Sequence, residues 1–273
     1  MKKSLLLIAL LVVFVLTTSS AVSAQTTLIV FAAASLADAF EELADGFEAA
    51  NPGVDVLFNF ASSSDLAAQL AEGAPADVFA SANNRQMSAA QDAGRIGSNR
   101  RTFVRNRLVL IVPSDNPAQI TSLSDLANAG VQIVIAAPSV PVRDYTDTLL
   151  ERLAADSTYG EAYRTAFMGN VVSEEQNVRQ VAAKIALGEA DAGIVYTSDV
   201  TPDISESVTA IPIPDELNTI ASYPIAITDD TSSPELARAF VGYVLSNAGQ
   251  STLACWNFIP ARLIPEAECT AGQ

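Results

Sequence analysis

The segment TLIVFAAASLADAF (Thr27–Phe40) begins as a continuous apolar run, passes through small residues to a single serine, and ends amphipathic. Its first part, Thr27–Phe31, has the composition of a buried strand. Beyond Ser35 the apolar residues Leu36, Phe40, Leu43 and Phe47 recur at spacings of four, three and four, which marks one face of a helix. NPG (Asn51–Gly53) stops that helix and turns the chain. The arrangement then returns: VDVLFNF (Val54–Phe60) reads as a strand, and ASSSDLAAQL (Ala61–Leu70) as small hydroxyl residues leading into a helix with Leu66 and Leu70 on one face. Further strands are expected at Ala76–Ser81, Arg107–Val112, Val131–Ala137, Ala192–Tyr196 and Tyr223–Thr228. Further helices are expected at Val142–Ala154, Val178–Ala186 and Pro234–Leu245, the last capped by Ser233 with Pro234 as its first residue. This alternation predicts an α/β fold with largely parallel sheets. No tandem repeat, low-complexity tract or flexible linker interrupts it, so any two lobes must be joined by short crossovers.

The chain opens MKKSLLLIALLVVFVLTTSSAVSAQ, with Lys2 and Lys3 as a basic start, an apolar stretch from Leu5 to Leu16, and Val22-Ser23-Ala24 as a small-residue cleavage signal. Residues 1–24 therefore read as a signal peptide. The apolar stretch falls short of the roughly 18 to 20 residues that span a bilayer, and no cysteine near the cleavage site suggests a lipid anchor. Export places Cys255 and Cys269 in an oxidising compartment, where a structural disulfide between them is expected. With 31 acidic and 15 basic residues the net charge is -16, which disfavours nucleic acid or an anionic membrane as partner. Histidine is absent, which removes Ser-His-Asp triads, Cys-His pairs and His-ligated zinc. A secreted serine hydrolase would need another base, and no Ser-x-x-Lys motif supplies one.

In α/β sheets ligands gather beyond the carboxyl ends of strands, where the next helix offers unpaired N–H groups and the positive end of its dipole. Such places favour anions. Ser35 and the run Ser62-Ser63-Ser64 each stand between a strand and a helix, where hydroxyls add to the backbone donors. Serine also caps helices for purely structural reasons. The repetition at two strand ends is what points to a shared ligand. Val142 after VQIVIAA and Val178 after NVVSEEQ open two more helices, and each offers a main-chain N–H; both also suit an apolar core. Ser173 and Gln176 fit a capping box ahead of Val178. Tyr196, ending AGIVY, brings a phenolic hydroxyl to a strand end, where it also reads as a half-buried aromatic.

The phrases FAAASL, FASSSDLAAQLAEGAPADVFASAN, NRLVLIVP, VPV followed by Tyr145, NVRQVAAKIALGEADAGIVYTSD and YPIAI together resemble the bacterial periplasmic molybdate-binding proteins of ABC transporters, over nearly the whole mature chain. The resemblance implies a two-lobed clamp of the type II class, each lobe a mostly parallel sheet flanked by helices, with a two-strand hinge near NRLVLIVP and SYPIAI. Lobe 1 is then residues 25–108 and 222–273, and lobe 2 residues 109–221. It further implies a soluble, monomeric carrier without catalytic residues, cofactor or direct protein–metal bonds, which delivers molybdate or tungstate to a membrane permease. The oxyanion is expected to be held by the hydroxyls of Ser35, Ser63 and Tyr196 and the main-chain amides of Val142 and Val178.

One departure from the resemblance is Arg143, where the family usually has glycine; it reads as a solvated residue of a first helical turn, or as a group that approaches the anion. A shell made only of donors suits molybdate, tungstate and sulfate, which carry no proton near neutral pH. Hydrogenphosphate would need an acceptor, for which Asp65 is the nearest candidate, although a first-turn aspartate is more simply a dipole partner. A carrier of sulfate or another tetrahedral oxyanion thus remains the alternative on chemistry alone. The arginine-rich stretch GRIGSNRRTFVRNR (Gly94–Arg107) reads as a solvated face or a permease contact.

Overall fold

The structure is a computed structural model that describes residues 26–264 and Cys269; the signal peptide expected at residues 1–24 lies outside the described residues. Strand β1 (Thr26–Ala33) leads through a short 3-10 turn at Ala34–Leu36 into helix α1 (Ala37–Ala50). Gly53, at φ 92°, turns the chain into β2 (Val54–Ala61), followed by α2 (Ser63–Ala71), β3 (Val78–Ala80), α3 (Asn84–Asp92) and β4 (Arg101–Asn106). Only Arg107 separates β4 from β5 (Leu108–Pro113), yet the two strands belong to different sheets. The second sheet is completed by β6 (Ile133–Ala136), α4 (Pro141–Ala155), α5 (Gly160–Gly169), β7 (Val171–Glu175), α6 (Val178–Ala186), β8 (Ala192–Tyr196), α7 (Pro202–Ser205) and β9 (Val208–Pro212). The chain then returns to the first sheet with β10 (Ala221–Ile227), α8 (Pro234–Val244), α9 (Asn247–Cys255) and β11 (Ile259–Pro260).

The strand orders are β11-β4-β10-β3-β1-β2 and β7-β6-β8-β5-β9. Both sheets are mixed rather than mostly parallel. β1 lies parallel to β2 and β3, and β6 to β7 and β8, whereas β10 runs antiparallel to β3 and β4, and β5 to β8 and β9. Parallel neighbours need a crossover that brings the chain back to the same end. Helices α1, α2, α4 with α5, and α6 provide it, while the strands that pass between the lobes enter from the other sheet and pair in the opposite sense.

The first lobe is centred on the apolar face of α1. Phe40 is fully buried, with the rings of Phe58, Phe103 and Phe240 at 6.1, 5.7 and 6.2 Å, and Phe47 meets Phe240 edge-on at 5.3 Å. In the second lobe Gly193 lets α6 close on β8: a Cβ there would lie 2.9 Å from Val181 Cγ1 and 3.0 Å from Ile185 Cγ1. The glycine of GIVY thereby sets how deeply the N-terminus of α6 reaches toward the other lobe. Cys255 and Cys269 form a disulfide with a Cα–Cα distance of 5.4 Å.

Two buried asparagines tie the crossing strands together. Asn218 donates from Nδ2 to the Leu108 carbonyl at 2.9 Å and accepts the Leu108 N–H on Oδ1 at 3.2 Å, holding the second crossing against the first. Asn106 accepts the Arg107 N–H and the Thr197 hydroxyl on Oδ1, both at 2.9 Å, and donates from Nδ2 to Ser198 Oγ at 2.9 Å. Neither residue can be spared cheaply, because a buried polar group without its partner costs about 1 to 3 kcal/mol.

Candidate functional site

Ser35, Ser63, Val142, Val178 and Tyr196 line one cavity, together with Ala33, Ala34, Ser62, Ala82, Val140, Pro141 and Asn177. The first lobe contributes the ends of β1 and β2, and the second the starts of α4 and α6 and the end of β8. The space open to the centre of a water-sized sphere is about 10 Å³, so the lobes are shut closely around it. No carboxylate and no lysine or arginine is among the lining residues.

Each donor is set by its local structure. Ser35 sits in the 3-10 turn Ala34–Leu36 rather than on the first turn of α1. Of the three consecutive serines, Ser62 is the N-cap of α2: its Oγ accepts the Asp65 N–H at 3.2 Å and contacts Ser64 Oγ at 2.8 Å. Ser63 is left for the cavity, and its Oγ accepts the Ala82 N–H at 2.9 Å. Val142 is the second residue of α4, after Pro141, and Val178 the first of α6, so both N–H groups precede the first intrahelical bonds. The cap ahead of Val178 is Asn177, whose side chain accepts the Gln180 N–H at 3.1 Å. The Ser173 and Gln176 box expected from the sequence does not form, because Ser173 lies in β7 and donates to Glu175 at 2.6 Å.

The Tyr196 hydroxyl is fully buried and makes no hydrogen bond of ordinary geometry among the described residues. Burial, with the neighbouring Tyr223 and Tyr145 hydroxyls and the Asp199 carboxylate, raises its pKa well above the usual phenol value, so it stays a neutral donor. An orphaned buried hydroxyl is costly and calls for an acceptor at this point. Asp65 is exposed and does not line the cavity.

Arg143 turns away from the cavity. Its Nε meets Asp147 at 2.9 Å, its Nη1 meets Glu174 at 2.6 Å, and only 11% of its side chain is exposed, so it is paired rather than solvated. Two bridges across the cleft were not legible as such in the sequence. In the first, Asp144 of α4 receives Arg85 at 2.8 Å and Asn83 at 2.9 Å, and the Ser139 carbonyl accepts from Arg85 at 3.1 Å and Gln86 at 2.9 Å. Ser139 adopts φ 76°, a left-handed conformation that points this carbonyl at α3. In the second, Arg179 of α6 reaches Asp38 of α1 and also lies 3.1 Å from Asp199. Asp199 is wholly buried and accepts the Tyr196 N–H at 3.0 Å; burial pushes its pKa up to about 6 against the opposing pull of Arg179. Each member of this second bridge lies within three residues of Ser35, Val178 or Tyr196, which is the signal that identifies it in retrospect.

Residues 28–258 match the family model described as bacterial extracellular solute-binding protein. The molybdate-binding protein ModA of Mycobacterium tuberculosis is 41% identical over 226 residues, covering 83% of this chain and 82% of its own length. Among solved structures, the sulfate-binding protein SubI of the same organism superposes with a TM-score of 0.78 at 20% identity, covering 86% of this chain and 87% of that one. The periplasmic molybdate-binding protein of Azotobacter vinelandii gives 0.73 at 22%, covering 86% and 100%. At these identities the structural likeness shows the two-lobed fold alone.

Proposed function

The chain belongs to the bacterial extracellular solute-binding proteins, and we propose that within this family it captures molybdate or tungstate between its lobes and hands it to the membrane permease of an ABC transporter. Export after removal of residues 1–24 and action as a monomer are part of this reading. Among the described residues no helix is long and apolar enough to cross a membrane. The observation that carries the proposal is the cavity lined by Ser35, Ser63, Val142, Val178 and Tyr196, which gathers hydroxyl and amide donors without a carboxylate and holds one buried hydroxyl that makes no hydrogen bond of ordinary geometry among the described residues. Such a shell matches a tetrahedral dianion with four acceptor oxygens and no proton. The identity of the mycobacterial relative supports molybdate over sulfate.

Calorimetry of the protein against molybdate, tungstate, sulfate and phosphate tests the reading. Molybdate and tungstate are expected to bind most tightly, sulfate more weakly and phosphate least. Sulfate binding at least as tightly as molybdate would turn the proposal toward a sulfate carrier.

The orientation of Arg143 gives a prediction of its own. Arg143→Gly removes two ion pairs and places glycine in a helix, a change of about 1 kcal/mol or somewhat more in stability. It should lower the melting temperature while leaving molybdate affinity within about threefold, about 0.65 kcal/mol. A loss of affinity as large as that of a serine donor would mean that Arg143 turns to the anion.

A further inference from the structure

We propose that segment 82–86 ties together donors that the two lobes bring to the cavity, with Arg85 and Asp144 as positioning residues that govern how fast the bound anion leaves. The inference rests on the reading of the cavity as an oxyanion site. Ser35, Ser63, Val142, Val178 and Tyr196 are each at most 5% exposed, so an anion reaches or leaves them only when the lobes part. Contacts that join the lobes beside these donors therefore act on release.

The segment reaches a donor of each lobe. On its own lobe the Ala82 N–H donates to Ser63 Oγ at 2.9 Å. One residue further, Asn83 caps α3: its Oδ1 accepts the Gln86 N–H at 2.9 Å, and its carbonyl accepts from Ser81 Oγ at 2.8 Å. With the amide oxygen so engaged, the Asn83 NH2 group faces the second lobe, where Asp144 accepts it at 2.9 Å. Arg85 joins the same carboxylate at 2.8 Å, and Arg85 and Gln86 both donate to the Ser139 carbonyl. Ser139 lies three residues before Val142 and Asp144 two after it, so the first lobe grips the turn that presents the Val142 amide on both sides. Asn83 is buried and already fixed by its own helix, which leaves little freedom for it to lose when the grip forms. None of the gripping side chains lines the cavity, so they act on the anion through closure. The other bridge, from Arg179 to Asp38, does not isolate closure in one substitution, because Arg179 also faces the buried Asp199. The side chains of Arg85 and Asp144 are 54% and 29% exposed, so removing either one strands no fully buried charge.

Radiolabelled molybdate bound to wild type, Arg85→Ala, Asp144→Ala and the double variant is chased with excess unlabelled molybdate to give release rates. Calorimetry gives the affinities, from which association rates follow. Lobes that have parted no longer make these contacts, so their loss should appear in release. Asp144→Ala removes a hydrogen bond to a carboxylate as well as an ion pair, and should release molybdate about tenfold faster. Arg85→Ala loses a partly exposed pair and should release it about threefold faster. Association should stay within about twofold of wild type in both. Because Arg85 and Asp144 meet each other, the double variant should fall short of the product of the two single factors. A variant that is merely less well folded would instead bind with reduced stoichiometry or associate slowly, and release its anion at the wild-type rate. Release unchanged in Asp144→Ala, a loss confined to association, or single factors that multiply in the double variant overturns the grip while leaving the oxyanion site intact. Wild type that takes up no molybdate removes the reading on which the grip depends.

Discussion

Ser63→Ala is expected to weaken molybdate binding by about a hundredfold, and Ser35→Ala by about tenfold to a hundredfold. A hydrogen bond to a charged group contributes about 1.5 to 3 kcal/mol, and 1.4 kcal/mol is a factor of ten in affinity. Ser63 stands at the upper end because its removal also strips the Ala82 N–H of its acceptor, leaving a buried donor unsatisfied beside the anion. Ser35→Ala likewise leaves the buried Tyr223 hydroxyl without its partner at 2.9 Å, but deeper in the hinge. Ser88 supplies the control: it accepts from Arg100 at 2.9 Å and is not among the residues lining the cavity, so Ser88→Ala should titrate like wild type. Titration of all three variants settles whether the cavity is the binding site, since equal affinities would place the ligand elsewhere.

The strand-serine-helix junctions at Ser35 and Ser63 were readable from sequence because periodicity changes at each of them, from a continuous apolar run to a spacing of three and four. The disulfide was readable from compartment and count. Sheet direction was not. β4 and β5 look like one strand when only Arg107 divides them, and nothing local says that the chain changes sheet there. The short strand β3 was overestimated at Ala76–Ser81: its regular ladder spans Val78–Ala80, and beyond it Asp77 takes the Ile29 N–H on its side chain at 2.8 Å while Ser81 Oγ turns the chain by donating to the Asn83 carbonyl at 2.8 Å. Asn106, Asn218 and Tyr223 escaped notice for a related reason. Apart from Arg107, next to Asn106, their partners named above lie 91 to 188 residues away along the chain, and a buried asparagine leaves no periodic trace. Arg143 was ambiguous until its partners Asp147 and Glu174 were placed on the side away from the cleft.

The bridge from Asp38 through Arg179 to Asp199 leads to the other large effect, which is on stability and carries its own pH signature. Asp199 is fully buried, and its cation is Arg179 at 3.1 Å. Removing one partner of a buried pair costs about 3 kcal/mol or more, so Arg179→Met should lower the melting temperature near neutral pH by about 6 to 12 °C for a chain of this size. The sign follows from the carboxyl. An unfolded aspartate titrates near 3.9, and burial raises the folded value to about 6, so the contribution of Asp199 to stability is fully present below about pH 4 and is lost as pH rises through about 6. Arg179 limits that loss by favouring the ionised form. Without it the folded pKa climbs further, so the gap between wild type and Arg179→Met should be wide at neutral pH and should narrow as pH falls toward about 4, where Asp199 is protonated in both. Adding Asp199→Asn keeps an acceptor for the Tyr196 N–H and removes the stranded charge, so the double variant should recover most of the lost stability at neutral pH. A gap that does not depend on pH, or a double variant no more stable than Arg179→Met, would show that the buried charge is not the cause. The same arginine also reaches Asp38 on the opposite lobe, so the double variant, though refolded, still lacks a bond across the cleft. It should therefore release molybdate faster than wild type even where its stability is restored, which separates what Arg179 does for the second lobe from what it does for closure.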